Sequence, residues 1–552
     1  MADTPINPYP DEKDSTDYQI SRRHGWMVAL IFFPLVALMP VSHHISLALK
    51  GRWSETPLAQ LLSWRPSAGP LLQRLHATEK STDKAGYSTF IRQNTQALLT
   101  AFGGEGNRKV HLGSGEWLFY KPEITGLHGW GPLKREPFSP MKDPDVAKLR
   151  MAKDVVLEFA AQLKERGIPL LLVPVPVKPM IYPEFLSSQK FTAPVYHPDQ
   201  LALYEQLRAA GIDIIDLTPE MWRLKLQKQV FLQQDTHWTP DAMKIMAESI
   251  AKHIRTKYPQ ALRSSDQTPI VDARILDRTS HGDLVDLLDL ASPARLFGPE
   301  QVTLVSIAGM DPAATSPIAL LGDSFVNVFD DPALGFAPKD ESGNAPRIRA
   351  GFGNQLAILL NEPLDVMAVN GGGSTAARQE FARRFDDEVR AKKLVVWVIA
   401  CRDLLLSPTA AREANVKWER VEFNPKSRDG RQPAVAPPSA DKIIIEARLV
   451  GKSKLQDAGS TPYTNALHTA DYEMQKVISG QFTSTDWLAV QWTFKNKQPQ
   501  PTASAVPGKT YRLTLVPESA IPPEAKGVNT SDDFSDRFTA ERWFVESIEE
   551  AR

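Results

Sequence analysis

The sequence has a single cysteine, Cys401, among 552 residues. Intramolecular disulfides are therefore excluded, as are zinc sites built from several thiolates. Net charge is nearly absent too, because 64 Lys and Arg face 65 Asp and Glu. No overall field draws in nucleic acid or an anionic surface, so a polymer partner has to be recognised locally. No repeat of roughly 20 to 50 residues recurs, which argues against solenoids and propellers. What remains is ordinary globular composition, 42% hydrophobic and 23% charged, in a chain too long for one core and suited to two or three folded units.

Long apolar runs are also missing, with one exception near the N-terminus. "RRHGWMVALIFFPLVALMPVSHH" (22–44) carries about 18 uncharged, mostly apolar residues behind Arg22 and Arg23, long enough to span a bilayer. Pro34 and Pro40 weaken it as a helix. About 20 polar residues precede it and no small-residue cleavage site follows, which separates it from a cleavable signal peptide. It reads as an uncleaved anchor, with the basic pair holding the N-terminus in the cytoplasm and the remainder facing outward. A buried hairpin helix is the alternative.

A helical stretch follows, and then "KVHLGSGEWLFY" (109–120), where Gly113 and Gly115 set a turn before an aromatic run. Element types alternate from there. The spacing predicts a helix over 143–167, capped by Asp143 or Asp145 and ended by Gly167. "IPLLLVPVP" (168–176) suits a strand buried on both faces, and a helix at 198–210 leads into the strand "IDIIDL" (212–217). The rhythm returns in "SPIALLGDSF" (316–325), "LDVMAVNGGG" (364–373) and "KLVVWVIACRDL" (393–404), with a helix near 374–391. This is the pattern of an α/β fold, a mainly parallel sheet flanked by helices. Past residue 407 the texture changes: a proline-rich polar linker (424–442) precedes segments such as "KIIIEARLVG" and "WLAVQWTF" that read as strands of a small β-domain.

Two stretches carry candidate chemistry. In "ALLGDSFVNVF" (319–329) an apolar strand runs into Gly322-Asp323-Ser324 and a helix start, so Ser324 stands at the carboxyl end of a parallel strand, where open α/β sheets bind ligands. Its own N–H, near a helix N-terminus, could help hold an oxyanion. In "FLQQDTHWTPDAM" (231–243), Asp235 and His237, if extended, project to one side. A serine hydroxyl needs a base, and an imidazole needs an acid to fix its tautomer. Other readings stay open for these residues: a D-x-H pair can bind a metal, although no further ligand motif accompanies it, and Asp235 can instead cap the helix beginning near Pro240. Lys178 ends a strand, where lysines snorkel to solvent. Cys401 suits a packed small hydrophobe better than a reactive thiol.

Taken together, G-D-S-F with an upstream D-T-H-W resembles the SGNH-hydrolase-like polysaccharide O-acetylation proteins, the AlgJ/AlgX family. "GSGEWLFY" (113–120), "VPVPVKPMIYPE" (173–184), "GIDIIDL" (211–217) and "VVWVIACRDL" (395–404) resemble further segments of that family, so the likeness covers about residues 105–407. It implies Ser324 as nucleophile, His237 as general base and Asp235 as its orienter. It also points to Arg402, Lys178, Asn370 and Gly371 as oxyanion or substrate-binding residues. Family members often carry Glu where this chain has Cys401, which leaves the surroundings of Arg402 in question.

On this reading the chain divides into a cytoplasmic N-terminus (1–24), a transmembrane anchor (25–44), a helical stem (45–104), an SGNH-like catalytic domain (105–423), a linker (424–441) and a C-terminal β-domain (442–552). Its expected activity is serine O-acetyltransfer or acetylester hydrolysis on an exopolysaccharide, in the periplasm and held by a single pass through the inner membrane. The serine step needs no cofactor and no metal. The resemblance implies, as partners, a membrane-bound O-acyltransferase that delivers acetyl groups and other exopolysaccharide biosynthesis proteins. In the β-domain, Trp487, Trp492 and Tyr511 suit a sugar-stacking surface or a core equally well. A non-catalytic polysaccharide-binding or assembly scaffold is the alternative function.

Overall fold

The computed structural model describes residues 86–136, 146–263, 272–336, 349–425 and 442–551, with single positions and short segments left out among them, together with scattered positions between 41 and 59. Residues 1–95 and 96–552 form two compact units. The anchor expected at 25–44 lies almost wholly outside the described residues, as does most of the linker. Among the described residues no helix is long and apolar enough to cross a membrane.

In the second unit a hairpin comes first: β1 (Val110–Leu112) pairs antiparallel with β2 (Leu118–Tyr120) around the expected glycine turn. The α/β body follows, built on β3 (Leu170–Val175), β4 (Asp213–Ile214), the antiparallel hairpin β5 (Asp272–Ser280) and β6 (Glu300–Ala308), β7 (Ile318–Gly322), β8 (Asp365–Ala368) and β9 (Leu394–Ala400). Strands β4, β3, β9, β7 and β8 form, in that order, a sheet whose pairings are all parallel.

Alternation along these strands feeds two cores. Leu171, Val173, Leu320, Val396 and Val398 face one layer, which holds helix Pro240–Lys257. Leu170, Leu172, Leu321, Val395 and Trp397 face the other, with helices Ala152–Glu165 and Gln200–Ala209. Both faces being covered explains why β3, β7 and β9 are buried along their whole length. Pro174 is tolerated in β3 because β4 has ended at Ile214, so at that level β3 is paired with a strand on one side only.

Two local expectations change. The helix expected from 143 begins at Ala152 after Met151, which offers no side-chain cap, and Asp143 and Asp145 lie outside the described residues. The helix near 374–391 is two, Ala376–Ala382 and Asp386–Arg390.

The C-terminal region contains β10 (Ile443–Lys452), β11 (Ala466–Ser479), β12 (Trp487–Lys495), β13 (Gln498–Pro499), β14 (Thr510–Pro517), β15 (Thr530–Ser531) and β16 (Glu541–Glu550). Pairing runs β12–β16–β14–β10–β11, and β11 returns to β12, so five strands close into a ring that leaves no long edge. Trp487 and Tyr511 are buried in its core, so they are not the exposed sugar platform considered above; Trp492 is half-buried against Phe544. The ring is tied to the α/β body by Asp532, whose carboxylate accepts hydrogen bonds from Arg383 (2.9 Å) and Arg542 (2.8 Å).

Candidate active site

The segment between Phe231 and Trp238 is a tight loop closed by a backbone bridge, with Leu232 N–H donating to the His237 carbonyl at 3.1 Å. Asp235 and His237 are therefore not extended. The short Asp235 side chain turns back on its own chain, its Oδ1 accepting from the His237 N–H at 2.9 Å and from Nδ1 at 2.6 Å. The helix after it is capped by Thr239, whose Oγ1 accepts from Ala242 N–H, so Asp235 is not a helix cap.

The loop is gripped from three sides. Glu300 accepts from the N–H groups of Gln233 and Gln234 at 2.7 and 2.8 Å. Lys178, fully buried, donates to the carbonyls of Leu118 and Gln233 at 2.7 and 2.9 Å; it is a strut between the hairpin and the loop, not a snorkelling surface lysine. Asp283 accepts from Thr236 N–H at 2.8 Å and Thr236 Oγ1 at 2.6 Å, and its own N–H donates to Asp235 Oδ2 at 2.9 Å. Gly282 makes this approach possible, since a Cβ there would sit 2.1 Å from the Gln234 carbonyl oxygen and 2.7 Å from Asp235 Cβ.

These contacts set the electrostatics. Burial, the largest influence on His237, disfavours its charged form, but the carboxylates of Asp235, Asp283 and Asp323 outweigh it and hold its pKa above 6.5. Asp235 is pushed up by burial and pulled further down by His237 and by N–H donors, ending below the ordinary range. Burial and the Asp235 charge raise Asp283 to about 6. His237 Nε2 is buried and has no hydrogen-bond partner among the described residues. The ring thus has one nitrogen fixed and the other unengaged, the arrangement a general base requires.

Asp235, His237 and Asp283 bring their ligand atoms within 4.8 Å of one another, close enough for a metal. Their chemistry fits a metal poorly: every carboxylate oxygen of the two aspartates already accepts a hydrogen bond, and Nδ1 faces Asp235.

Ser324 opens the helix Ser324–Asn327 directly after β7 and is 2% exposed. Asp323 caps that helix, Oδ1 accepting from Phe325 N–H at 2.9 Å, while Oδ2 accepts from Ala400 N–H at 3.1 Å and so joins the carboxyl ends of β7 and β9. The Phe325 ring lies 4.8 Å from the His237 ring, between centroids, which brings the serine segment to the D-x-H loop. A small cleft of about 60 Å³ opens beside them, lined by Thr236, Asp283, Asp323, Gly371 and Arg402 among others.

Of the remaining expected residues, Arg402 donates to buried Glu123 at 3.0 Å and lies 3.5 Å from Asp403. Gly371 lines the cleft in a left-handed conformation (φ 70°). The Asn370 side chain is engaged elsewhere, accepting from Asn327 and donating to Asp331. Cys401 is buried at the start of the helix Cys401–Leu405, with Sγ 3.4 Å from Met180 Sδ, and burial pushes its thiol pKa well up. Sequence reasoning missed Glu123, Asp283, Glu300 and Asp403. Asp403 stands beside Arg402 within the quoted segment 395–404, which was the signal for it; the other three sit in none of the quoted motifs, and Glu123 lies 279 residues from Arg402, so only the fold pairs them.

Residues 110–401 match the family described as "SGNH hydrolase-like domain, acetyltransferase AlgX". The chain is 29% identical over 295 residues to a probable alginate O-acetylase AlgJ of Pseudomonas putida, covering 53% of this chain and 69% of the relative. It is 29% identical over 328 residues to the Pseudomonas aeruginosa protein of the same description, covering 58% and 77%. Among solved structures, the O-acetyltransferase domain of Pseudomonas putida AlgJ is similar at 23% identity and a TM-score of 0.40, over 54% of this chain and 92% of that one. Pseudomonas aeruginosa AlgX is similar at 16% identity and 0.38, over 67% and 83%.

Proposed function

Because the chain belongs to the SGNH hydrolase-like family of the acetyltransferase AlgX, we propose that it is an exopolysaccharide O-acetyltransferase or acetylesterase working through an acetyl-serine on Ser324. The observation that carries this reading is the His237 ring: Nδ1 is held at 2.6 Å by Asp235 while buried Nε2 is unengaged among the described residues. His237 Nε2 takes the Ser324 proton as Oγ bonds to the acetyl carbon. Asp235 stabilises the resulting imidazolium, and the N–H groups of Ser324 and Gly371 receive the oxyanion. The donor's acyl C–O bond then breaks, and its leaving oxygen takes the proton from His237. In the second half, a sugar hydroxyl or water gives its proton to Nε2 and attacks the acetyl carbon; the acyl–Oγ bond then breaks, and Ser324 Oγ takes that proton back from His237.

Transfer and hydrolysis differ only in which nucleophile is held near the acyl carbon. The alginate-related names of the relatives support an extracellular polysaccharide as acceptor. The apolar run at 25–44 supports a single inner-membrane pass with the bulk of the chain in the periplasm, where a membrane-bound O-acyltransferase delivers acetyl groups and other exopolysaccharide proteins assemble. The full chain should hydrolyse a chromogenic acetyl ester, and Ser324→Ala should abolish turnover. Equal turnover by both proteins would leave only the scaffold function. A periplasm-dependent reporter fused at Gln60 should be active; silence there would reverse the topology.

A further inference from the structure

Asp283, at the start of the helix Asp283–Leu287, touches each member of the dyad loop in turn. Its N–H donates to Asp235 Oδ2 at 2.9 Å, its Oδ1 accepts from Thr236 N–H at 2.8 Å, and its Oδ2 accepts from Thr236 Oγ1 at 2.6 Å. That same Oδ2 lies 3.9 Å from His237 Nδ1. Thr236 Oγ1 sits beside both, 3.4 Å from Nδ1, with its proton already given to Asp283. The Nδ1 side of the imidazole therefore faces two carboxylates, one bonded to it at 2.6 Å and one just behind.

Nothing in the packing requires the second charge. A neutral Asn or Ser side chain could accept the Thr236 N–H as well, whereas a second buried carboxylate beside Asp235 is costly, and burial with the Asp235 charge raises Asp283 to about 6. Among the described residues no Lys or Arg lies within ion-pair distance of Asp283, whose one ionic neighbour is His237. Lys178 is committed to the carbonyls of Leu118 and Gln233, and Arg402 to Glu123. The other ionisable groups facing the loop are Tyr120 on β2, Glu123 on the helix Lys121–His128, Asp323 at the serine turn, Asp403 beside Arg402 and Glu300 at the start of β6. None of these brings a positive charge, so the cation left to answer Asp283 is the His237 imidazolium.

We propose that two acids serve the one base with separate duties: Asp235 fixes the tautomer, and Asp283 is a positioning residue that clamps the loop through Thr236 and sets the basicity of His237. The inference rests on the reading of His237 as the base of the acyl-enzyme. Asp283, titrating at about 6, is ionised over the range above 6.5 in which neutral His237 works. Its charge stabilises the imidazolium formed when Nε2 takes the serine proton, without competing for the Nδ1 proton that Asp235 holds.

The test measures kcat/KM for acetyl ester hydrolysis by the full chain against pH. In Asp283→Asn the Thr236 N–H keeps an acceptor and Asp235 still holds Nδ1, so the second charge alone is lost. The midpoint should fall by about one pH unit, and kcat above it by about threefold to tenfold, with KM within about twofold. Thr236→Val loosens the same clamp but leaves the carboxylate in place, so its midpoint should not fall. Should Asp283→Asn fail to fold, Asp283→Ser makes the same comparison. An unmoved or raised midpoint on loss of the charge, or an equal fall in Thr236→Val, overturns the inference. NMR titration of the His237 ring in Ser324→Ala, with and without Asp283→Asn, separates the two readings. If ester hydrolysis survives Ser324→Ala, the acyl-enzyme fails, while a ring titrating about one pH unit lower without the Asp283 charge still supports its role and an unmoved ring still refutes it.

Discussion

Asp235 Oδ1 receives both the backbone N–H and the ring Nδ1 of His237, at 2.9 and 2.6 Å. One oxygen thus fixes the tautomer and the position of the imidazole together. Asp235→Asn keeps the shape but offers an amide to a ring nitrogen that needs an acceptor, favouring the wrong tautomer. Ester turnover should fall by roughly three to four orders of magnitude, with circular dichroism unchanged.

The pH profile follows from the same contact. His237 acts as a base only when neutral, and its pKa is held above 6.5 by its carboxylate neighbours. The kcat/KM for ester hydrolysis should therefore rise with pH through a midpoint above 6.5, and Asp235→Asn should move that midpoint to lower pH. Stability has the matching sign: the His237 contribution is fully present below its unfolded pKa and is lost as pH rises through the folded one. The Asp235 contribution, from a depressed pKa, is lost as pH falls through its folded value. Denaturant titrations of the full chain at several pH values read both limbs.

Gly282 is the backbone on which the dyad loop rests. With a Cβ there only 2.1 Å from the Gln234 carbonyl oxygen, Gly282→Ala must push the loop away. Overpacking of this kind costs about 1 to 3 kcal/mol, measurable by chemical unfolding, and turnover should drop with it.

Arg402 and Glu123 form a buried pair, with Glu123 raised to about 7 mainly by burial, which Arg402 only partly offsets. Arg402→Met leaves that carboxyl without its cation and should cost about 3 kcal/mol. Adding Glu123→Leu should recover much of the stability without restoring acceptor-dependent turnover.

How much of this was legible in the sequence depends on the range of the contact. The apolar runs around Leu171, Leu320 and Val396 announced buried parallel strands, because alternation disappears when both faces are covered. Ser324 was legible because an apolar strand breaking at Gly322-Asp323 marks the carboxyl end of a sheet. The conformation of Asp235 was not: an extended dipeptide spacing looked sufficient, while the side chain's own turn to the His237 N–H decides the geometry. Lys178 read as a surface lysine because its acceptors, the carbonyls of Leu118 and Gln233, are supplied by distant segments. Whether Trp487 lies on a surface or in a core was not legible, because that depends on the pairing of β11 with β12, which helps close the strands into a ring around it.

The most direct measurement is mass spectrometric mapping of the full chain quenched during turnover of an acetyl ester. One acetyl group should be found on the peptide carrying Ser324, increasing when His237 is replaced by a residue that slows deacylation more than acylation, and absent from Ser324→Ala. Turnover with no acetyl on Ser324, or with the label on another side chain, would contradict the account.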